Sequence, residues 1–142
     1  MNKLLAALLA AVALPLCAQA LPDRKDVVSW SLLSQVELVK QKDRYVPKFA
    51  SGVAALDQKE IKLQGFMTPL EMGGKQTHFV LSAMPSTCAF CMPGGPESMV
   101  EVKTRTPVKY SFEPVVVSGK LIVLKDDPTG IFYRIFDATP VK

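Results

Sequence analysis

The sequence is poor in histidine and cysteine, and this limits the sites that it can form. Of its 142 residues, one is histidine and three are cysteine. The one histidine, His78, is a candidate metal ligand, which leaves none for a Ser-His-Asp catalytic triad. Met92 follows the last cysteine, so the C-x-x-C-H attachment motif of a c-type haem is absent. No glycine-rich phosphate loop with its lysine follows a strand-like segment. These shortages favour a binding or accessory protein over an enzyme.

The chain also lacks a large excess of charge. Its 17 lysines and arginines against 13 aspartates and glutamates leave a formal charge of +4, with both signs interspersed. This is too mild an excess to indicate nucleic acid as a partner. Beyond the N-terminus, no apolar run is long enough for a transmembrane segment, so we expect a soluble mature protein.

The N-terminus has the features of a secretory signal peptide. Lys3 precedes thirteen residues, 4–16, that are apolar or proline, and Ala18 and Ala20 supply the small residues that signal peptidase reads. We predict a signal peptide over residues 1–20 and a periplasmic mature protein that begins at Leu21. Cys17 raises the alternative of a lipoprotein signal. Such a signal usually has a small residue directly before the cysteine, and here that residue is Leu16.

Residues 21–142 are enough for one domain with a real core. Five segments alternate apolar and polar residues in the way of β-strands. Gly65 and Gly119 lie inside two of these segments, where glycine indicates a bend or bulge. The pattern predicts a mainly β fold, a small five-stranded barrel of the oligonucleotide/oligosaccharide-binding (OB) type, with a sandwich or roll as the rival. The segments are 60–71, 77–85, 98–104, 115–126 and 131–137.

Helix is expected only in the N-terminal part of the mature chain. Ser29 is placed to cap a short helix that buries Trp30, although residues 36–38 suit a strand equally well. The spacing of Phe49, Val53 and Leu56 predicts a second short helix.

Several stretches together resemble a family of small exported bacterial proteins, the domain of unknown function 3299. The resemblance covers about residues 29–139, and GFMTPLE (65–71) is its most specific part. It implies a link to metal trafficking, with metal-transport components of the cell envelope as partners. The stretches are SWSLL (29–33), PKFASGVAALDQKEIKLQGFMTPLE (47–71), HFVLSAMPSTCAFCMPGGPESMVEV (78–102) and PVVVSGKL (114–121).

The cysteine loop departs from the family pattern. Cys88 matches the family's cysteine, but Phe90 stands where the family has histidine. Cys91 follows, and GGPES replaces most of the family's proline run. The link to metal is therefore weaker for this chain unless Cys91 acts as a ligand in place of the histidine.

The pair Cys88 and Cys91 is the strongest candidate site, and three interpretations stay open. Two thiolates at this spacing can bind one soft ion, zinc or copper(I), with His78 as a possible third ligand. In an oxidising compartment the two cysteines can instead form a structural disulfide. A thiol-disulfide redox site is the third interpretation, but no βαβ unit surrounds the pair and residues 93–96, Pro-Gly-Gly-Pro, would break a following helix.

Overall fold

The computed structural model describes residues 20–86 and 94–142. This part of the chain contains two short helices and seven strands, and residues Pro96–Ser98 form one turn of 3-10 helix. The helices are α1 (Trp30–Leu33) and α2 (Ser51–Ala54), and the strands are β1 (Val36–Gln41), β2 (Arg44–Phe49), β3 (Glu60–Pro69), β4 (Lys75–Ser82), β5 (Met99–Lys109), β6 (Val115–Val123) and β7 (Tyr133–Val141).

The last five strands close into a barrel in the order β3-β4-β5-β7-β6. All neighbours are antiparallel except β5 and β7, which run parallel. Numbered within the barrel, the strands follow one another as first, second, third, fifth and fourth, which is the arrangement of an OB barrel. The predicted fold class is therefore confirmed, and each predicted strand segment corresponds to one strand of the barrel.

Strand β3 changes partner at Gly65, where the sequence predicts a bend. Residues 60–65 pair with β6, whereas residues 66–69 pair with β4. A Cβ atom at Gly65 would lie 2.9 Å from the carbonyl oxygen of Ser82 and 3.2 Å from Cζ2 of Trp30. Glycine thus allows the close approach of neighbouring chain at the bend, as the sequence predicts.

Gly119 lies at an irregularity in β6. The register between β6 and β7 shifts between Ser118 and Lys120, which marks a bulge at this glycine. Both predicted glycine bends are confirmed.

The N-terminal segment closes one end of the barrel core. Ser29 caps α1, its side chain accepting a hydrogen bond from the Leu32 amide, as predicted. Leu33 in α1 and Val53 in α2 are fully buried against the barrel. The hydroxyl of Tyr133, itself buried in β7, donates to the carbonyl oxygen of Leu33. The two helices, of four residues each, therefore pack against the barrel core.

Strands β1 and β2 form an antiparallel hairpin outside the barrel. The sequence pattern of residues 36–38 fits either a helix or a strand, and in the structure these residues belong to strand β1. The sequence predicted Phe49 on a helix, which is wrong, because Phe49 ends β2 and only residues 51–54 are helical. Within the described ranges, no helix is both long and apolar enough to cross a bilayer.

Candidate functional site

The connection that carries the cysteine pair begins and ends on two neighbouring barrel strands. Ser82 at the end of β4 lies opposite Met99 at the start of β5. The buried Ser82 hydroxyl donates to the carbonyl oxygen of Met84 at 2.7 Å, and the Ala83 amide donates to the carbonyl oxygen of Ser98 at 3.2 Å. Both ends of the connection are thus held together on the core. Cys88 and Cys91 lie in residues 87–93, outside the described residues.

His78, the third predicted ligand, lies on the outer face of β4. It is opposite Lys103 in the ladder, four residues before the end of its strand. That distance is about 13 Å along the strand from the base of the cysteine connection. Its Nε2 atom is 2.6 Å from Oε1 of Glu101. The structure therefore joins His78 to a carboxylate on β5.

Glu101 is the centre of a charged network on the outer face of β4, β5 and β7. Only 7% of this residue is exposed. Its Oε2 accepts a hydrogen bond from Nε of Arg134, which lies opposite it in the parallel β5–β7 pair. The guanidinium of Arg134 also lies 3.5 Å from a carboxylate oxygen of Asp127. A buried carboxylate is therefore satisfied by two basic side chains, as burial of a charge requires.

The electrostatics of Glu101 follow from these contacts. Burial by itself raises the pKa of this carboxyl, but the hydrogen bonds from Arg134 and His78 outweigh burial, and the net pKa lies below the ordinary range. Glu101 is thus ionised at neutral pH, and Nε2 of His78 is the donor in their hydrogen bond. The imidazole can then offer only its Nδ1 atom to a ligand.

The loop between β3 and β4 orders the start of β4 beside this network. The carboxylate of Glu71 accepts hydrogen bonds from the Thr77 amide at 2.9 Å and from the His78 amide at 3.2 Å. These contacts lower the pKa of Glu71. The fully buried Gln76 bonds the Glu71 amide at 3.2 Å and the Gly73 carbonyl at 2.7 Å. Hydrogen bonds of the Glu71 and Gln76 side chains therefore order the backbone at the start of β4, where His78 lies.

An aromatic ring with two cations adjoins the network. Phe136 of β7 has Nζ of Lys103 and Cζ of Arg134 at 5.8 and 5.9 Å from its ring centroid. Strands β4 and β5 are the second and third strands of the barrel, and the outer strands two and three of OB barrels are the face that binds ligands in many such proteins. The network therefore lies on the outer face of the second and third barrel strands, next to β7.

Among the described residues, no group of three or more histidine, cysteine, aspartate or glutamate side chains is placed to hold a metal ion. Neither Glu101 nor Arg134 is a site residue predicted from the sequence. Alternation places Glu101 on the outer face of its strand, and only the register of β5 against β7 shows that it meets Arg134. The signal available in the sequence was an isolated acid in an otherwise apolar stretch, 99–102.

We expect Glu101→Gln to lower the free energy of unfolding by about 2 kcal/mol at pH 7, because two charge-assisted hydrogen bonds are weakened at a buried site. The depressed pKa means that ionised Glu101 stabilises the fold above the ordinary carboxyl pKa of about 4.3, and that this contribution disappears as the pH falls through the folded-state value. The difference between the variant and the wild type should therefore shrink between pH 5 and pH 3 in urea unfolding.

Asp137→Asn is the matched control. It removes one carboxylate from an exposed pair with Arg105, and asparagine tolerates the positive φ of 54° at this position. We expect no measurable change in stability. A Glu101→Gln variant as stable as this control, or a difference independent of pH, would show that the network does not stabilise the fold.

Comparisons with known proteins agree with the architecture. A family model described as "Protein of unknown function (DUF3299)" matches residues 18–130. The crystal structure of a DUF3299 family protein from Pseudomonas aeruginosa PAO1, at 2.45 Å resolution, is similar with a TM-score of 0.53 and 28% sequence identity over 68% of each chain. None of the curated proteins matches the chain. The family match covers most of the sequence, and the chain therefore belongs to the DUF3299 family of proteins of unknown function.

Proposed function

We propose that this protein is an exported binding or accessory protein that carries one soft metal ion, zinc or copper(I), on the thiolates of Cys88 and Cys91. The observation that supports the proposal most directly is the C-x-x-C pair inside a long connection, 83–98, whose two ends are fixed on neighbouring strands. The hydrogen bonds at the two ends hold the start and the end of this connection next to each other. The proposal places the protein in the periplasm, with metal-transport components of the envelope as its partners.

Two thiolates are fewer ligands than a closed structural zinc site, which usually has four. An ion held in this way keeps open positions, so that it can pass to a partner. If His78 is a third ligand, it binds through Nδ1, since its Nε2 donates to Glu101. A carrier with an incomplete ligand set is thus the form of metal protein that suits this chain.

The experiment uses the form that begins at Leu21, which N-terminal sequencing of protein from the cell envelope should confirm. The reduced protein is titrated with zinc and with copper(I) against a competing chelator. We expect one ion per chain, and weaker binding at lower pH because protons compete for sulfur. Replacing both Cys88 and Cys91 by serine should abolish binding and leave the unfolding midpoint nearly unchanged, because the core is formed by the barrel strands.

Two further variants locate additional ligands. His78→Ala should weaken binding only if the imidazole is a third ligand. Met84→Leu changes an exposed thioether at the start of the same connection and is the control for methionine binding to copper(I). If reduced wild-type protein takes up neither ion, or if uptake persists in the double-serine variant, the metal proposal fails. A structural module with a Cys88–Cys91 disulfide is then the better account.

A further inference from the structure

The hairpin β1–β2 is attached to the barrel at both of its ends. At its base, the ring of Phe49 packs edge-on against Phe132, with 5.9 Å between the centroids. At its tip, two nitrogens of the Arg44 guanidinium each donate to one carboxylate oxygen of Asp126 at 2.9 Å. A cleft of about 380 Å³ lies between the middle of the hairpin and the barrel. The hairpin therefore bridges a space that its own side chains leave unfilled.

The walls of this cleft combine apolar and polar side chains. Val39 and Val46, which are directly opposite each other in the hairpin, line it on one side. Val123 at the end of β6 lines the barrel side, and Phe49 lines the base. The volume is in the range of small-molecule sites, which are typically lined by hydrophobic side chains with a few polar groups. A ligand with an apolar part and a polar part thus suits this lining.

The charged side chains that line the cleft, two lysines and one aspartate, have a net positive charge. Lys48 and Lys125 line it, and within residues 20–86 and 94–142 neither lysine forms an ion pair. Asp57 also lines the cleft, but its Oδ1 accepts a hydrogen bond from the Val123 amide at 2.9 Å. Glu37 lies opposite Lys48 in the ladder without pairing to it. Two ammonium groups are therefore available to an anionic group at the end of an apolar chain.

We propose that this cleft binds a single-chain amphiphile with an anionic head, of the class of fatty carboxylates. The alkyl chain lies between the valines of the hairpin and Val123, and the carboxylate binds Lys48 and Lys125. The described residues that line this site come from the hairpin, the α2 region and the end of β6, and binding here does not depend on metal binding.

The test uses decanoate, below the concentration at which it forms micelles, with calorimetric titration of the wild-type protein. Acetate carries the head without the chain, and decanol carries the chain without the charge. We expect one decanoate per chain, no measurable binding of acetate, and decanol weaker than decanoate by about tenfold, because hydrogen bonds to charged groups contribute that much. In amide NMR spectra, decanoate should shift the signals of Val39, Val46 and Val123.

Two variants and one control assign the site. Val46→Trp fills the cleft and should weaken decanoate binding more than tenfold. The double variant Lys48→Ala/Lys125→Ala should weaken decanoate about tenfold and remove its advantage over decanol. The double variant Lys40→Ala/Lys42→Ala removes the same charge from hairpin positions that do not line the cleft, and should bind decanoate as the wild type does.

Because the lysine variants change only exposed residues, they test the site even if Val46→Trp does not fold. The proposal is overturned if the wild type binds no decanoate, or if the Lys48/Lys125 variant binds it as tightly as the Lys40/Lys42 control. Equal affinity for decanol and decanoate would overturn the anionic class of the ligand.

Discussion

Replacing Gly119 by valine is expected to destabilise the protein by at least about 3 kcal/mol, enough to leave a large fraction unfolded in a domain of ordinary stability. A Cβ atom at this position would lie 2.6 Å from Cγ2 of Ile135, 2.8 Å from the carbonyl oxygen of Phe136 and 2.9 Å from Cα of Ala138. Two of these atoms belong to the backbone of β7, which cannot move away without opening the barrel. Urea unfolding of the purified variant, or its failure to accumulate as folded protein, measures the effect.

Gly74→Ala is the matched control for this prediction. Nothing lies within 4 Å of a Cβ atom at Gly74, which belongs to the exposed loop between β3 and β4. The control should unfold within about 0.5 kcal/mol of the wild type. Gly119→Ala should fall between the two, since the smaller side chain meets the same three atoms. If Gly119→Val unfolds at the same urea concentration as Gly74→Ala, then β6 and β7 accommodate a side chain at position 119 and the predicted steric clash is absent.

Trp30→Ala should cost about 3 kcal/mol, the second largest effect that we expect. The indole is half-buried and packs over Gly65 at the bend of β3. Its Nε1 donates to the carbonyl oxygen of Gln64 at 2.7 Å. Truncation removes both the ring contacts and this hydrogen bond next to the residue where β3 changes partner. Thermal and urea unfolding followed by circular dichroism measure the loss, since the variant has no tryptophan fluorescence.

Trp30→Phe separates the two contributions. It keeps an aromatic ring but loses the indole donor and part of the ring volume, so we expect a loss of about 1–2 kcal/mol, smaller than that of Trp30→Ala. Phe112→Ala truncates an aromatic side chain that is 82% exposed and should be close to neutral. If Trp30→Ala is as stable as Phe112→Ala, then Trp30 does not support the bend in β3.

The contact between Trp30 and Gly65 gives a physical reason for part of the family resemblance. The tryptophan segment and the Gly-Phe-Met stretch are far apart in the sequence, but Trp30 and Gly65 are in contact in the fold. The two residues occur together because they pack against each other, and a larger residue at position 65 would displace the indole. Neither residue has to bind a ligand to account for its place in the pattern.

The sequence by itself determined the barrel. Alternation of apolar and polar residues places one face of each strand in a core, and this local signal identified all five barrel strands. The internal glycines located both bends, because only glycine allows neighbouring chain so close to a strand. Ser29 located the start of α1 through a hydrogen bond made within three residues. Each of these features depends on contacts or steric limits that are visible in a short stretch of sequence.

Only the tertiary structure decided the rest. The hairpin β1–β2 has one face toward solvent and the other over a cleft, so its residues show no clean alternation of burial and its pattern is ambiguous. Glu101, His78 and Arg134 come from three strands, and their contact depends on the register of β5 against both neighbours. Strand register follows from closure of the whole barrel, and therefore no local pattern in the sequence contains it.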